Sequence, residues 1–587
     1  MAEPLRLRRT GVVALFAALT LGPVGCASVP SSSPVYEDEG VRVGRGSDSY
    51  VRLLAEAPKG GDGPVDVVRG FLAASASFEN DHQVARGYLT PEMADSWDPG
   101  AIVRVYDGEP RLRATDDRTG DDRAGDDTVE FDAGLEAVID GDGEFTPARP
   151  TATANVEFGL RKVAGEWRIE TLPDGLLLTG ADVSRAFRPV SLFFLTPDEK
   201  SVVPAPVFLR AGGPGLATTL VNALLAGPTS WLAPAVRSAF PPGTALTRPE
   251  EPLDTLSGLV TVDLTDEALD ADRETRRAMA AQLVWTLRQL SEVSAVRVTV
   301  EGANYDIPDT GAVVTRESLS TYDSGLTGAA DAYLVRDGGL VSLATDEGVP
   351  GPAGSGRRPL RDPAVSLRGD KVAGLSSDQR TVYAGPLVAD QKLGVVLRGG
   401  RFSSPSWDRY DGLWVVEQAN GSGARALLLR PESEPLAVRL GSSIGSVRAM
   451  RVSRDGARMV LIATSGGATR LLVGRVVRSG GEVSVQGLRP IASQFTDIVD
   501  VAWADGERLA VLAGDASGPL QAHLVTVDGA ASTAVGSVPG MTSIAAASGP
   551  TGLRPLLVGT EEGIVHRNVG GTTWQVVGNG RDPAYPG

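Results

Sequence analysis

A chain of 587 residues, 42% hydrophobic and 22% charged, is long enough for about three or four domains with ordinary apolar cores, which excludes a wholly disordered protein. Its formal charge of −17 makes nucleic acid and anionic lipid surfaces poor partners. Cys26 is the one cysteine, and the three histidines, His82, His523 and His566, have no partner at HxxxH or HExxH spacing; intrachain disulfides and multi-thiolate metal sites are excluded, and neither a metal nor a cofactor is expected.

At the start of the chain, Arg6, Arg8 and Arg9 precede an apolar run from Gly11 to Val24, with small Gly25 before Cys26. This is the layout of a secretory signal, and the run falls short of the ~20 residues that span a bilayer. Val24-Gly25-Cys26 resembles a bacterial lipobox, although Pro23 stands where that pattern prefers Leu. The resemblance implies cleavage between Gly25 and Cys26. Cys26 then becomes an S-diacylglycerol and N-palmitoyl cysteine that anchors the chain to the cell membrane on its extracytoplasmic face. An ordinary secretion signal with an incidental cysteine is the alternative. Loss of residues 1–25, with Arg6, Arg8, Arg9 and Glu3, takes the net charge from −17 to about −19. Acyl chains would then hold the protein near a membrane against weak repulsion; one chain binds marginally, two stably. Residues 26–63, rich in Ser, Pro, Gly and charge, are predicted to be a tether.

Residues 64–186 read as an α+β domain. A helix is predicted over Val65 to Phe78, with Pro64 in its first turn and Val67, Val68, Phe71 and Leu72 on one side, and a second over Pro91 to Trp97. Strand-like runs follow at Thr128 to Ala137, Thr151 to Val163 and Glu166 to Leu172. Two early helices before a sheet ending in Gly165-Glu166-Trp167-Arg168-Ile169 resemble the cone of nuclear-transport-factor-like domains. The run Asp116 to Asp127 holds six aspartates but lacks the closing bidentate acid of a calcium loop, so it reads as a solvated insertion.

Residues 187–304 form a second α+β unit. Strands are predicted at Val190 to Leu195, Val202 to Arg210, Leu259 to Leu264 and Ala295 to Glu301, and helices at Gly215 to Leu225 and Asp272 to Leu290. Gly227-Pro228 ends the first helix. The order and spacing of Leu224-Leu225-Ala226-Gly227-Pro228-Thr229, Pro242-Gly243-Thr244, Val262-Asp263-Leu264, Gln282-Leu283-Val284-Trp285-Thr286-Leu287 and Val300-Glu301-Gly302 resemble the GerMN domain, a small α/β sandwich. Asp263, at a strand end, reads as a residue that orders a turn.

A connector, residues 305–330, leads into 331–587, where an Asp-containing turn recurs before a short strand. The turns are Ser376-Ser377-Asp378, Arg409-Tyr410-Asp411-Gly412, Ser453-Arg454-Asp455-Gly456 and Trp503-Ala504-Asp505-Gly506. Asp411 to Asp455 is 44 residues and Asp455 to Asp505 is 50, intervals that suit propeller blades, and five to seven blades are expected. Asp331, Asp378, Asp411, Asp455 and Asp505 read as turn residues first. Gly571-Thr572-Thr573-Trp574 resembles half of the Asp-box of sialidase-like propellers, with Val569 where the Asp belongs, and reads as an outer-strand turn.

The order of signal, sheet-and-helix domain, GerMN domain and all-β propeller resembles the LpqB lipoproteins of actinobacteria over essentially the whole chain from Cys26. That resemblance implies a non-enzymatic accessory that binds the extracytoplasmic domain of a sensor histidine kinase of the MtrB type. It would modulate two-component signalling in cell-wall homeostasis, division and morphology. Two alternatives stay open: a propeller hydrolase acting on envelope polymers, for which the linear sequence nominates no catalytic residue, and a sensor of wall fragments.

Overall fold

The computed structural model describes residues 55–115, 127–211, 215–323, 325, 331–419, 423–441, 444–515, 518–549 and 552–587. Gly25, Cys26, the tether up to residue 54 and the acidic run as far as residue 126 lie outside the described residues. Among the described residues no helix is long and apolar enough to cross a membrane.

The first helix, Pro64–Ser75, buries the predicted Val67, Val68, Phe71 and Leu72 against a curved sheet. The Phe71 ring meets Trp97 and Phe158 edge-on at 5.3 and 6.1 Å. Across the sheet the strands run Glu166–Thr171, Thr153–Val163, Asp127–Asp140, Ile102–Thr115 and Leu176–Thr179, the last pair parallel, and Phe145–Pro147 pairs with Asp127–Asp140. Strand Ile102–Thr115 was not expected from the sequence. Its register shifts between Val105 and Tyr106 and again between Asp107 and Arg111, so Asp107-Gly108-Glu109-Pro110 breaks the period-two pattern without ending the strand.

In the second unit, Phe187–Leu195 and Val202–Arg210 form a hairpin, and Leu259–Leu264 runs parallel to Ala295–Val300. Helix Arg273–Leu287 packs on both sheets, and Leu216–Ala226 packs on it and on Phe187–Leu195. The polar residues of the helix motif have a physical task here. Gln282 accepts from Ala239 N at 2.7 Å and donates to Phe193 O at 3.0 Å, while Thr286, one turn later, accepts from Phe193 N at 3.1 Å. Both main-chain groups of Phe193 are thereby satisfied by a helix within an apolar core. Asp263 accepts from Thr299 Oγ1 at 2.6 Å, Gly302 N at 2.8 Å and Thr247 Oγ1 at 2.8 Å, the turn-ordering role read from its position.

The C-terminal region forms six blades among the described residues. Five are four-stranded sheets. The first is three-stranded, ordered Gly339–Ser342, Tyr333–Arg336 and Arg581–Ala584, so the chain's last strand closes the ring. The inner strands are Arg581–Ala584, Arg361–Val365, Arg401–Trp407, Ile444–Val452, Phe495–Trp503 and Met541–Ala545, each beside the next around the circle. The turn 570–573 joins the third strand of blade six to its outer strand Trp574–Asn579, as read from its sequence.

Two readings of the repeat are corrected. The turns around Asp455 and Asp505 join first to second strands, but Ser376-Ser377-Asp378 joins the second strand of blade two, Lys371–Leu375, to the third, Thr381–Pro386, at the opposite end of the blade. Its true counterpart is Ser366–Asp370. In blade three the anchoring acid is Asp408 rather than Asp411: Asp408 accepts from Tyr410 N and Gly412 N at 2.9 and 2.8 Å, whereas Asp411 reaches back to Arg368 and Lys371 of blade two.

Candidate functional site

In blades three, four and five the turns between first and second strands reach the hairpin Phe187–Leu195 and Val202–Arg210. In blade four, Asp455 accepts from Ser453 Oγ and from Ala457 N, then holds Arg458 at 2.6 Å; the two side chains are 1% and 2% exposed. Arg458 in turn donates to Pro204 O at 3.1 Å and lies over the Trp503 ring. Arg409 of blade three donates to Thr196 Oγ1 and Asp198 Oδ1, both at 2.8 Å. Blade five sends Glu507 to accept from Ser191 Oγ, and burial and the neighbouring Asp505 push the Glu507 carboxyl up. Gly506 lies so close to Pro204 that a Cβ there would stand 2.9 Å from Pro204 Cγ. A side chain in this turn would press on the Pro204 ring.

A second contact joins all three folded parts. Hairpin residues 140–147 of the first domain place Asp142 Oδ2 to accept from Ser230 N at 2.9 Å and stack Phe145 on Phe208 at 5.1 Å. Glu144 pairs with Arg489 of the propeller; burial pushes its carboxyl up, against the pull of that guanidinium. Arg489 also lies 4.3 Å over the ring of Trp231, whose Nε1 donates to Gly487 O at 2.8 Å. Charge-assisted bonds and a cation–π contact join the three parts here.

The third feature lies on the ring axis. Each inner strand carries an irregularity in its pairing, and blades one, two and five bring Asp582, Asp362 and Asp500 into mutual electrostatic contact. Asp362 and Asp582 have φ of 45° and 50°. Asp500 accepts from Val501 N and Ile544 N, both at 2.9 Å, and Arg451 stands 3.7 Å away. Its burial pushes its carboxyl up. The same level carries bonds from blade to blade: Ser404 Oγ donates to Arg448 O and Arg448 donates to Ile498 O.

None of these three acids was singled out from the sequence. The available signal was an internal repeat: Arg361-Asp362-Pro363-Ala364 and Arg581-Asp582-Pro583-Ala584 are identical and lie on adjacent inner strands. By contrast, Asp331, Asp378, Asp411, Asp455 and Asp505 do not converge. Asp331 and Asp378 are exposed, and the other three bond within or between blades. His82 is buried in the first domain among Phe78 and Trp97; burial, then the charge of Arg210, lowers it to about 4. His523 lies against Phe495 in blade five. Among the described residues no group of three or more His, Cys, Asp and Glu is placed to hold a metal ion.

Family models match in the same order as the folded units. The N-terminal domain of lipoprotein LpqB matches residues 57–184, a sporulation and spore germination domain matches 191–306, and the lipoprotein LpqB beta-propeller domain matches 338–586. Lipoprotein LpqB of Thermobifida fusca is 37% identical, the alignment covering 97% of this chain and 98% of the relative. Lipoprotein LpqB of Streptomyces avermitilis is 32% identical over 96% of each chain, and that of Cutibacterium acnes 28% over 98% of each.

Proposed function

Because the chain belongs to the LpqB lipoprotein family, we propose that it is a non-enzymatic docking protein, held by lipid on Cys26 at the extracytoplasmic face of the cell membrane. Its partner in this reading is the extracytoplasmic domain of a sensor histidine kinase of the MtrB type, whose signalling in cell-wall homeostasis, division and morphology it modulates. The observation that carries the reading is the junction: Arg458–Asp455, Arg489–Glu144 and Trp231 fasten the propeller to the two preceding units. The other end of the blades is left outward, with Ser377, Asp378, Gly466, Gly467, Glu561 and Glu562 exposed in its turns. A rigid body on a membrane tether meets its partner at high effective concentration, so modest contacts suffice.

Co-purification from crosslinked membranes is expected to recover a sensor kinase, and deletion to change phosphorylation of its response regulator. Recovery of no kinase together with unchanged phosphorylation would overturn the proposal. Cys26→Ser is expected to release the protein from the membrane and to abolish palmitate labelling.

A second reading, a hydrolase of envelope polymers, is favoured by one observation, the meeting of Asp362, Asp500 and Asp582 on the ring axis. Neighbouring carboxyls, with Asp500 and Asp582 pushed up by burial, are the kind of groups that acid–base hydrolysis uses. Turnover of wall polymers by the parent, lost in Asp582→Asn, would establish it in place of the docking reading.

A further inference from the structure

The propeller closes where its last strand, Arg581–Ala584, slots between Tyr333–Arg336 and the inner strand of blade two. Asp362 and Asp582 stand on neighbouring inner strands across that seam. Asp362 N donates to Asp582 Oδ2, a long bond at 3.4 Å. The charged groups around Asp582 come from several elements. Blade two supplies Asp362 and Arg361, blade five supplies Asp500, and Arg451 of blade four stands against Asp500. The neighbouring strand Tyr333–Arg336 holds Tyr333, which is buried, and Arg336, which is committed to Asp346 at 2.7 Å and to Asn579 O. Met541–Ala545 and Leu557–Thr560 of blade six bring no titratable side chain. Within this setting Asp500 has two backbone donors, and Asp582 has one long one.

We propose that the ring-closing seam is a pH-dependent latch, in which uptake of one proton by the Asp582–Asp362 pair tightens the closure of the propeller in mildly acidic surroundings and its release at neutral pH loosens it. A proton taken up by one of two neighbouring carboxyls removes their like-charge repulsion. Burial, then the charge of Asp362, pushes the Asp582 carboxyl from its ordinary 3.8 up to about 6. The folded seam therefore holds a proton that the open strand gives up. Closure gains stability as the pH falls through about 6 and loses it as the pH rises above, with the gain levelling off near the open strand's 3.8. The latch stands independently of the kinase reading.

Native-state hydrogen exchange on the full chain from Cys26, corrected for intrinsic rates, tests this. Between about pH 7.5 and about pH 5, opening of the seam is expected to slow roughly tenfold in peptides spanning 333–336 and 581–584. Exchange in blade four's Arg458–Ser465 is expected to be unchanged. Asp582→Asn should keep the seam protected at both pH values. Asp362→Asn, which leaves Asp582 in place without its facing charge, should reduce the dependence to roughly threefold or less. Equal protection of the parent at both pH values, or the full dependence persisting in either variant, would overturn the proposal.

Discussion

At the end of the propeller that faces the GerMN unit, Asp408, Asp455 and Asp505 each lie against a guanidinium, those of Arg478, Arg458 and Arg508, at 2.8, 2.6 and 2.9 Å, and each also accepts backbone N–H groups. On the inner strands Asp362, Asp500 and Asp582 lie within electrostatic reach of one another, and Arg451 stands 3.7 Å from Asp500. The same side chain thus has two physical characters within one domain. A carboxylate with a cation and several backbone donors fastens its surroundings; at Asp500 and Asp582 burial and neighbouring carboxylates push the carboxyl up instead.

The sharpest way to break this contrast is to convert a fastener into an isolated charge. Arg458→Ala leaves Asp455 buried without its cation and removes the donor to Pro204 O, so a loss of about 3–5 kcal/mol is expected in denaturant unfolding. A loss under about 1 kcal/mol would show that the pair does not fasten the junction. Trp231→Ala is expected to cost less, about 1–3 kcal/mol, because it removes one hydrogen bond to Gly487 and the face beneath Arg489 at a site that is only half-buried. Its signature is separation of the calorimetric transition, with the propeller unfolding apart from the GerMN unit. One unsplit transition at the parental temperature would remove Trp231 from the account.

Much of the architecture was legible because its signals are local. Helix Pro64–Ser75 announced itself by proline at its start and four apolar residues on one side, and the strand Leu259–Leu264 by alternation. The GerMN motifs were legible as a pattern, and the structure supplies their cause in the bonds of Gln282 and Thr286 to Phe193. What escaped was set by distance along the chain. Glu144 and Arg489 are separated by 345 positions, and Asp362 and Asp582 by 220, so no window of sequence contains either pair. Strand Ile102–Thr115 escaped for another reason, since its bulge looks like a turn until the partner strand is known.

The finest test concerns two turns that the sequence presents as equivalents. In Ser376-Ser377-Asp378 the serine hydroxyl donates to Asp378 Oδ1 at 2.6 Å, Arg380 N donates to the same oxygen at 3.1 Å, and Thr381 N returns to Ser376 Oγ at 3.0 Å. In Ser453-Arg454-Asp455 the three matching bonds measure 2.5, 2.8 and 3.0 Å. The local chemistry is the same; the surroundings differ, because Asp378 is exposed on the outward end and Asp455 is buried beside Arg458 on the GerMN-facing end. Water replaces the bonds of an exposed carboxylate at little cost, whereas a buried guanidinium left without its carboxylate has no substitute. Asp378→Ala is therefore expected to leave the melting temperature within about 1 °C of the parent, and Asp455→Ala to lower it by several degrees. Equal shifts in the two variants would mean that the turn motif itself, rather than its burial against the neighbouring unit, carries the stability.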